Sequence, residues 1–149
     1  MRLSGFLHEE RRFPKYFTQT SKQMILGHGI DVADLHRVKI LLMRMEEDFL
    51  FSTFTAGERE TECLSEDRVP FFGGRLAAKE AVLKALKTPA TPGVAMRQVE
   101  ILRLPNGSPE IRLHGAAKEM ATKLGVGRWL LSISHTETIA VASAIALKV

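Results

Sequence analysis

The sequence predicts an α+β domain organised around one long helix, and three observations carry that prediction. The stretch from Gly73 to Leu86 is rich in Ala and Leu and free of helix breakers after Gly74, so it reads as a helix. Strand-like runs open the patterned part of the chain at Met24–Val32 and close it at Arg128–Ser134 and Thr138–Leu147. Between them, Asn106-Gly107 is a hairpin signal flanked by two further runs. The order is one strand, three helices, a hairpin, a helix and two strands; helices and strands are grouped rather than alternating, which is the α+β pattern.

Composition bounds the function. A chain of 149 residues is long enough for one domain with a real core. The hydrophobic share of 45% and charged share of 26% are those of an ordinary soluble globular protein. A formal net charge of +4 and a pI near 9.5 favour anionic partners such as phosphates, nucleic acid or an acidic protein. With one Trp and one Tyr, stacking platforms for nucleic acid are scarce. The single Cys63 excludes an internal disulfide and a Cys-rich metal site, and fits a reducing cytoplasm. No apolar run approaches the length of a membrane span.

Along the chain, residues 1–23 are polar and basic, with Arg11, Arg12, Lys15 and Lys22 and no apolar signal-peptide core. They are expected to be a loose N-terminal extension to a domain spanning 24–149. Met24 to Val32 reads as a buried strand whose two glycines, Gly27 and Gly29, mark close approach by another backbone or a ligand. Asp31 at its end is either a cap for the next helix or a metal ligand, and this segment alone favours the cap. Asp34 to about Leu50 reads as a helix with an apolar stripe of Leu35, Val38, Leu41, Leu42 and Met45. Arg37 and Arg44 flank Leu41 two turns apart, as a solvated basic edge or as a docking face for an acidic helix. Thr55-x-x-Glu58 is a capping box for a short helix to about Leu64. Pro70 suits the first turn of the long helix, leaving Gly73 and Gly74 inside its early turns. That helix presents a Leu76/Leu83 ridge, a flat face of Ala77, Ala78, Ala81 and Ala85, and a basic pair, Arg75 and Lys79, one turn apart. Glu80 falls near the border of the two faces, with Lys84 one turn later in the favourable Glu-before-Lys order. Thr88–Gly93 is a loop, Val99 to Ile101 and Pro109 to Leu113 are hairpin strands, and Ala116 to Leu124 is a helix ended by Gly125.

The candidate chemistry is spread over these elements. Asp31 and Glu80 are two carboxylates with room for open positions, which suits Mg²⁺ holding waters and substrate phosphates. Arg75, Lys79 and Lys84 are placed to neutralise phosphates. Ser132-Ile133-Ser134-His135 sets two hydroxyls and an imidazole at a strand end, a phosphate or general-base position or a satisfied turn.

Together these segments resemble a known family. Gly27-His28-Gly29-Ile30-Asp31-Val32, Phe54-Thr55-x-x-Glu58, Gly74-Arg75-Leu76-Ala77-Ala78-Lys79-Glu80-Ala81-x-x-Lys84-Ala85-Leu86 and Ser132-Ile133-Ser134-His135 occur in the order and spacing of the holo-acyl-carrier-protein synthases, the small 4′-phosphopantetheinyl transferases. The resemblance covers roughly Met24 to Leu147. It implies that family's fold, an antiparallel sheet packed with helices and one long central helix. It also implies its reaction: transfer of 4′-phosphopantetheine from coenzyme A to a serine of acyl carrier protein, releasing adenosine 3′,5′-bisphosphate, with a role in fatty acid biosynthesis.

The resemblance also implies roles for single residues. Asp31 and Glu80 hold Mg²⁺, with Mn²⁺ as an alternative, against the coenzyme A diphosphate. Arg75, Lys79 and Lys84 bind phosphates or align the helix, with Lys84 in the catalytic group. Ser134 and His135 lie near the coenzyme, and a phosphate-binding role suits His135 better than that of a base. A water on the metal and Glu80 are both candidates for deprotonating the serine. Arg37, Leu41 and Arg44 face the acidic acyl carrier protein, and the protein is a cytoplasmic homotrimer with sites between subunits. Nucleic acid and membrane are not among the implied partners. Two departures stand out: the tail before Met24, and two prolines in the Thr88–Gly93 loop where family members often have a shorter Gly-rich turn, a difference that bears on the implied contacts to the adenosine end and not on the metal site.

Overall fold

The computed structural model describes residues 24–62, 67–88 and 94–149. The expected extension over 1–23, Cys63 and residues 89–93 of the proline-bearing loop lie outside the described residues. The elements are β1 (Met24–Asp34), α1 (Leu35–Arg44), α2 (Glu46–Thr53), α3 (Ala56–Glu62), α4 (Arg68–Ala85), α5 (Val94–Arg97), β2 (Val99–Arg103), β3 (Pro109–Leu113), α6 (Gly115–Leu124), β4 (Arg128–His135) and β5 (Ile139–Lys148). The α+β class is as expected. β1, β5 and β4 form an antiparallel sheet in that order, and β2–β3 form a separate hairpin.

The long helix α4 packs on one face of the three-stranded sheet. That face is built from small side chains: Ala33 on β1 and Ala140, Ala142, Ala144 and Ala146 on β5 are all buried. Gly27 and Gly29 take the close-approach role expected of them. A Cβ added at Gly29 would sit 1.9 Å from the carbonyl oxygen of Ala81, and one at Gly27 would sit 2.0 Å from that of Ala85. The flat face of Ala77, Ala78, Ala81 and Ala85 is therefore covered by the chain's own sheet. Early in α4, a Cβ at Gly73 would meet Leu35 Cδ2 at 2.3 Å, so its helix cost is offset by contact with α1. Asp67 caps α4 by accepting from the backbone N–H of Val69 at 3.1 Å.

A second cluster of Val38, Leu42, Phe49, Leu50, Phe54 and Phe72 joins α1, α2 and α4. The predicted helix from Asp34 to Leu50 is two helices. The chain breaks at Met45 (φ −137°, ψ 37°), and Glu46, Glu47 and Asp48 then fill the first turn of α2, where the helix dipole favours negative charge. Met45 leaves the apolar stripe and is 52% exposed. The cap of α1 is Asp34, whose Oδ1 accepts from the backbone N–H groups of His36 at 2.8 Å and Arg37 at 3.2 Å. Asp31 is left free of that duty. The capping box of α3 forms as predicted, with Thr55 N–H donating to Glu58 Oε2 at 2.8 Å and Glu58 N–H to Thr55 Oγ1 at 3.3 Å. The short α5 was not expected from the sequence. Gly125 ends α6 in the left-handed region at φ 78°.

Candidate active site

Residues on a strand alternate between faces, and Asp31 pairs in register with Ala142 of β5, whose side chain is buried towards α4. Asp31 therefore points to the α4 side. There its Oδ1 accepts from Lys84 Nζ at 2.6 Å, and the same ammonium donates to the Ile30 carbonyl at 3.1 Å. Lys84 thus pairs with Asp31 on β1 rather than with Glu80 on its own helix. Glu80 lies close enough to feel both charges: its carboxyl is pushed above 4.5 by burial first and then by the Asp31 charge, while Lys84 pulls it down. The structure brings Asp31, Glu80 and Lys84 together from elements about 50 residues apart in sequence.

Two carboxylates at this range, one disfavoured in its charged form, are hard oxygen donors whose mutual repulsion a divalent cation would relieve. Mg²⁺ uses one or two carboxylates and keeps waters, so the donor set fits it. Among the described residues no group of three or more His, Cys, Asp or Glu is assembled to hold a metal.

A second locus lies around Arg75 and His135. They line a cavity of about 640 Å³ together with Phe71, Gly74, Arg103 and Gly107. The Arg75 guanidinium stacks 3.6 Å from the centre of the Phe71 ring and donates from Nε to the Ile101 carbonyl at 3.1 Å. Burial pushes it down to about 10, Glu58 opposes that shift, and Arg103 adds to it. Asp67 lines the same cavity, so two guanidiniums, an imidazole and one carboxylate face it, a set whose surplus positive charge suits an anion. His135 also lines a neighbouring cleft with Asp34, His36 and Lys39. Arg103 was missed in the sequence; its signal was the hairpin register, which pairs Arg103 with Pro109 beside the Asn106-Gly107 turn.

Two expected positions differ from this pattern. Lys79 does not face a phosphate from solvent. It is fully buried, in an ion pair with Glu58 at 2.7 Å, and donates to the carbonyls of Met96 at 2.9 Å and Val99. Its place one turn after Arg75 aims it at β2 and α3, with no path to a ligand. Ser134 pairs in register with Val141, whereas His135 pairs with Ala140, so their side chains point to opposite faces of the sheet. Ser134 is exposed on the outer face, away from Arg75. On α1, Arg37 and Arg44 are exposed and Leu41 between them is half-buried.

Comparisons with known proteins identify the family and the fold. The profile of the 4′-phosphopantetheinyl transferase superfamily matches residues 27–142. A curated holo-[acyl-carrier-protein] synthase from Koribacter versatilis is 40% identical over 122 residues, covering 82% of this chain and 98% of its own. The crystal structure of the holo-[acyl-carrier-protein] synthase of Neisseria meningitidis superposes with a TM-score of 0.75 at 29% identity, covering 83% of this chain and 98% of that one. That of Bacillus anthracis, in complex with coenzyme A (3′,5′-ADP), gives a TM-score of 0.67 at 28% identity, covering 85% and 99%. The chain belongs to the 4′-phosphopantetheinyl transferase superfamily. Its activity within that superfamily is holo-acyl-carrier-protein synthesis, a group transfer.

Proposed function

We propose that the chain moves 4′-phosphopantetheine from coenzyme A to a serine of acyl carrier protein, with Asp31 and Glu80 holding Mg²⁺ or Mn²⁺ at the diphosphate. The observation that carries this is the Asp31–Lys84–Glu80 cluster on facing β1 and α4. Coenzyme A is supported as substrate by the coenzyme-bound relative from Bacillus anthracis. The serine oxygen attacks the phosphorus attached to pantetheine. The bond from that phosphorus to the bridging oxygen breaks, and adenosine 3′,5′-bisphosphate leaves with the electron pair. The serine proton passes to water or to Glu80. A divalent cation bound by the two carboxylates would offset the charge developing on the phosphoryl oxygens and the leaving group. Lys84 neutralises Asp31 and presents its ammonium at the same locus. Arg75, Arg103 and His135 receive a phosphate of the coenzyme in the 640 Å³ cavity.

Arg37, Leu41 and Arg44 form the docking face for acyl carrier protein, whose acidic surface they complement. The outer face of the three-stranded sheet is open and exposes apolar groups beside His28, Ser132, Ser134 and Ser143: Ile30 and Val32 are each 56% exposed, Leu130 43% and Ile139 38%. A second copy of the chain covers this face in a homotrimer, which removes an apolar patch otherwise prone to association. Among the described residues no helix is long and apolar enough to cross a membrane, and we place the enzyme in the cytoplasm, serving fatty acid biosynthesis. The test is mass spectrometry of an acyl carrier protein incubated with coenzyme A, Mg²⁺ and this protein. The expected result is one phosphopantetheine added at the acceptor serine, and none with that serine replaced by alanine. A carrier protein of unchanged mass would defeat the proposal.

A further inference from the structure

Lys79 and Glu58 are the most deeply buried charges described, both 0% exposed, and the reaction as derived uses neither. All three protons of Lys79 Nζ have an acceptor: Glu58 Oε2, the Met96 carbonyl and the Val99 carbonyl. Both oxygens of Glu58 are engaged as well, Oε1 by the backbone N–H of Ile101 at 2.9 Å and Oε2 by that of Thr55. One turn before Lys79, Arg75 donates to the Ile101 carbonyl. The Val99 carbonyl and the Ile101 N–H and carbonyl lie on the edge of β2 that β3 leaves open. That edge is therefore closed by three charged side chains from α3 and α4, where another sheet would use a neighbouring strand.

This clamp holds α4 on the side opposite the sheet. On the other side, Gly27 and Gly29 let β1 reach backbone contact with Ala81 and Ala85. The glycines set how close α4 comes to β1, and the clamp sets its rotation. Lys79 and Glu80 are consecutive, about 100° apart around the helix, so fixing one aims the other. A rotation of about 20° would carry a carboxylate some 6 Å from the helix axis through roughly 2 Å. Misplacement of about 1 Å can lower a rate on the order of 100-fold.

We propose that the buried Lys79–Glu58 pair is a positioning device for the reaction: it locks the rotation of α4 so that Glu80 meets Asp31, and ties that helix to the hairpin carrying Arg103. This rests on the reading of Asp31 and Glu80 as the cation site. The variants are Glu58→Gln/Lys79→Met, which removes both charges together, and Glu58→Gln alone, which keeps the shape. Leu42→Ala, in the other core cluster, serves as a control of matched thermal destabilisation. The readout is Mn²⁺ binding to the substrate-free protein, followed by electron paramagnetic resonance of the free ion, with kcat measured beside it.

The expected result is a Kd for Mn²⁺ raised at least tenfold in the folded double variant and kcat lowered about 100-fold, with the Leu42→Ala Kd unchanged. If the double variant does not fold, Glu58→Gln is expected to raise the Kd at least threefold. A folded double variant, or failing that Glu58→Gln, whose Mn²⁺ Kd and kcat match the control overturns the proposal. Glu80→Gln separates this from failure of the underlying reading. If it leaves Mn²⁺ binding intact, the cation site is wrong; if it abolishes binding while the clamp variants bind normally, only the positioning role is wrong.

Discussion

Lys84 Nζ lies 2.6 Å from Asp31 Oδ1 across 53 residues of chain, so the cation that helical spacing assigns to Glu80 belongs instead to the strand. The Lys84 side chain is 52% exposed and that of Asp31 20%, so as a stabilising contact the pair is worth at most about 1 kcal/mol. Its importance is chemical. Lys84→Met is expected to change the unfolding free energy by less than about 1 kcal/mol while lowering kcat on the order of 100-fold. Asp31→Ala should abolish transfer with the fold intact. Urea melts beside steady-state kinetics check both.

Glu80 makes stability pH-dependent in a definite direction. Its folded carboxyl is raised above 4.5, by burial first and by Asp31 second. Below 4.5 both folded and unfolded chains carry the proton; between 4.5 and the raised value the folded chain holds it more firmly. In metal-free protein this contribution therefore declines as pH rises through that window and stays lost above it. Glu80→Gln should be more stable than the parent at neutral pH, with the gap closing as pH falls towards 4.5, in melts performed with a chelator. The same variant should not transfer phosphopantetheine.

Gly29 has no room for a methyl group, since the added Cβ would lie 1.9 Å from Ala81 O and 2.8 Å from Ala85 N, both backbone atoms. Gly29→Ala must push α4 off the sheet. A loss of about 3 kcal/mol is expected from overpacking, read as a lower urea midpoint, together with weaker Mn²⁺ binding as Glu80 recedes from Asp31.

Arg37→Glu combined with Arg44→Glu reverses two exposed charges on α1. The KM for acyl carrier protein should rise and its salt dependence flatten, with kcat at saturation and the KM for coenzyme A nearly unchanged, because exposed charges act on encounter and are screened.

Light scattering should give a mass near three times the 16.6 kDa chain. Ile30→Lys with Val32→Lys, on the open sheet face, should shift it towards one. Asp31 and Glu80 come from the same chain and feel each other's charge. Refolding a mixture of Asp31→Ala and Glu80→Ala proteins should therefore restore little activity; substantial rescue would place the two carboxylates in different subunits.

Much of this protein was determined by residues and their near neighbours in sequence. The strand with two glycines, the Thr55/Glu58 capping box, the Asn106-Gly107 hairpin, the Gly125 stop and the long Ala-rich helix all depend on periodicity, backbone freedom and hydrogen bonds a few residues apart. The order of those segments also carried the family resemblance, and with it Asp31 and Glu80. The tertiary structure alone decided the rest. Helical spacing makes Arg75 and Lys79 a matched basic pair, yet Lys79 is sealed against Glu58 and Arg75 opens to a cavity. Their fates depend on where α3 and β2 land. Strand alternation sends Ser134 and His135 to opposite faces, but which face meets α4 depends on the register with β5. The flat alanine face left its partner open until β1 and β5 closed on it. Local hydrogen bonding can be read from neighbouring residues; the burial of a charge depends on distant groups arriving to satisfy it.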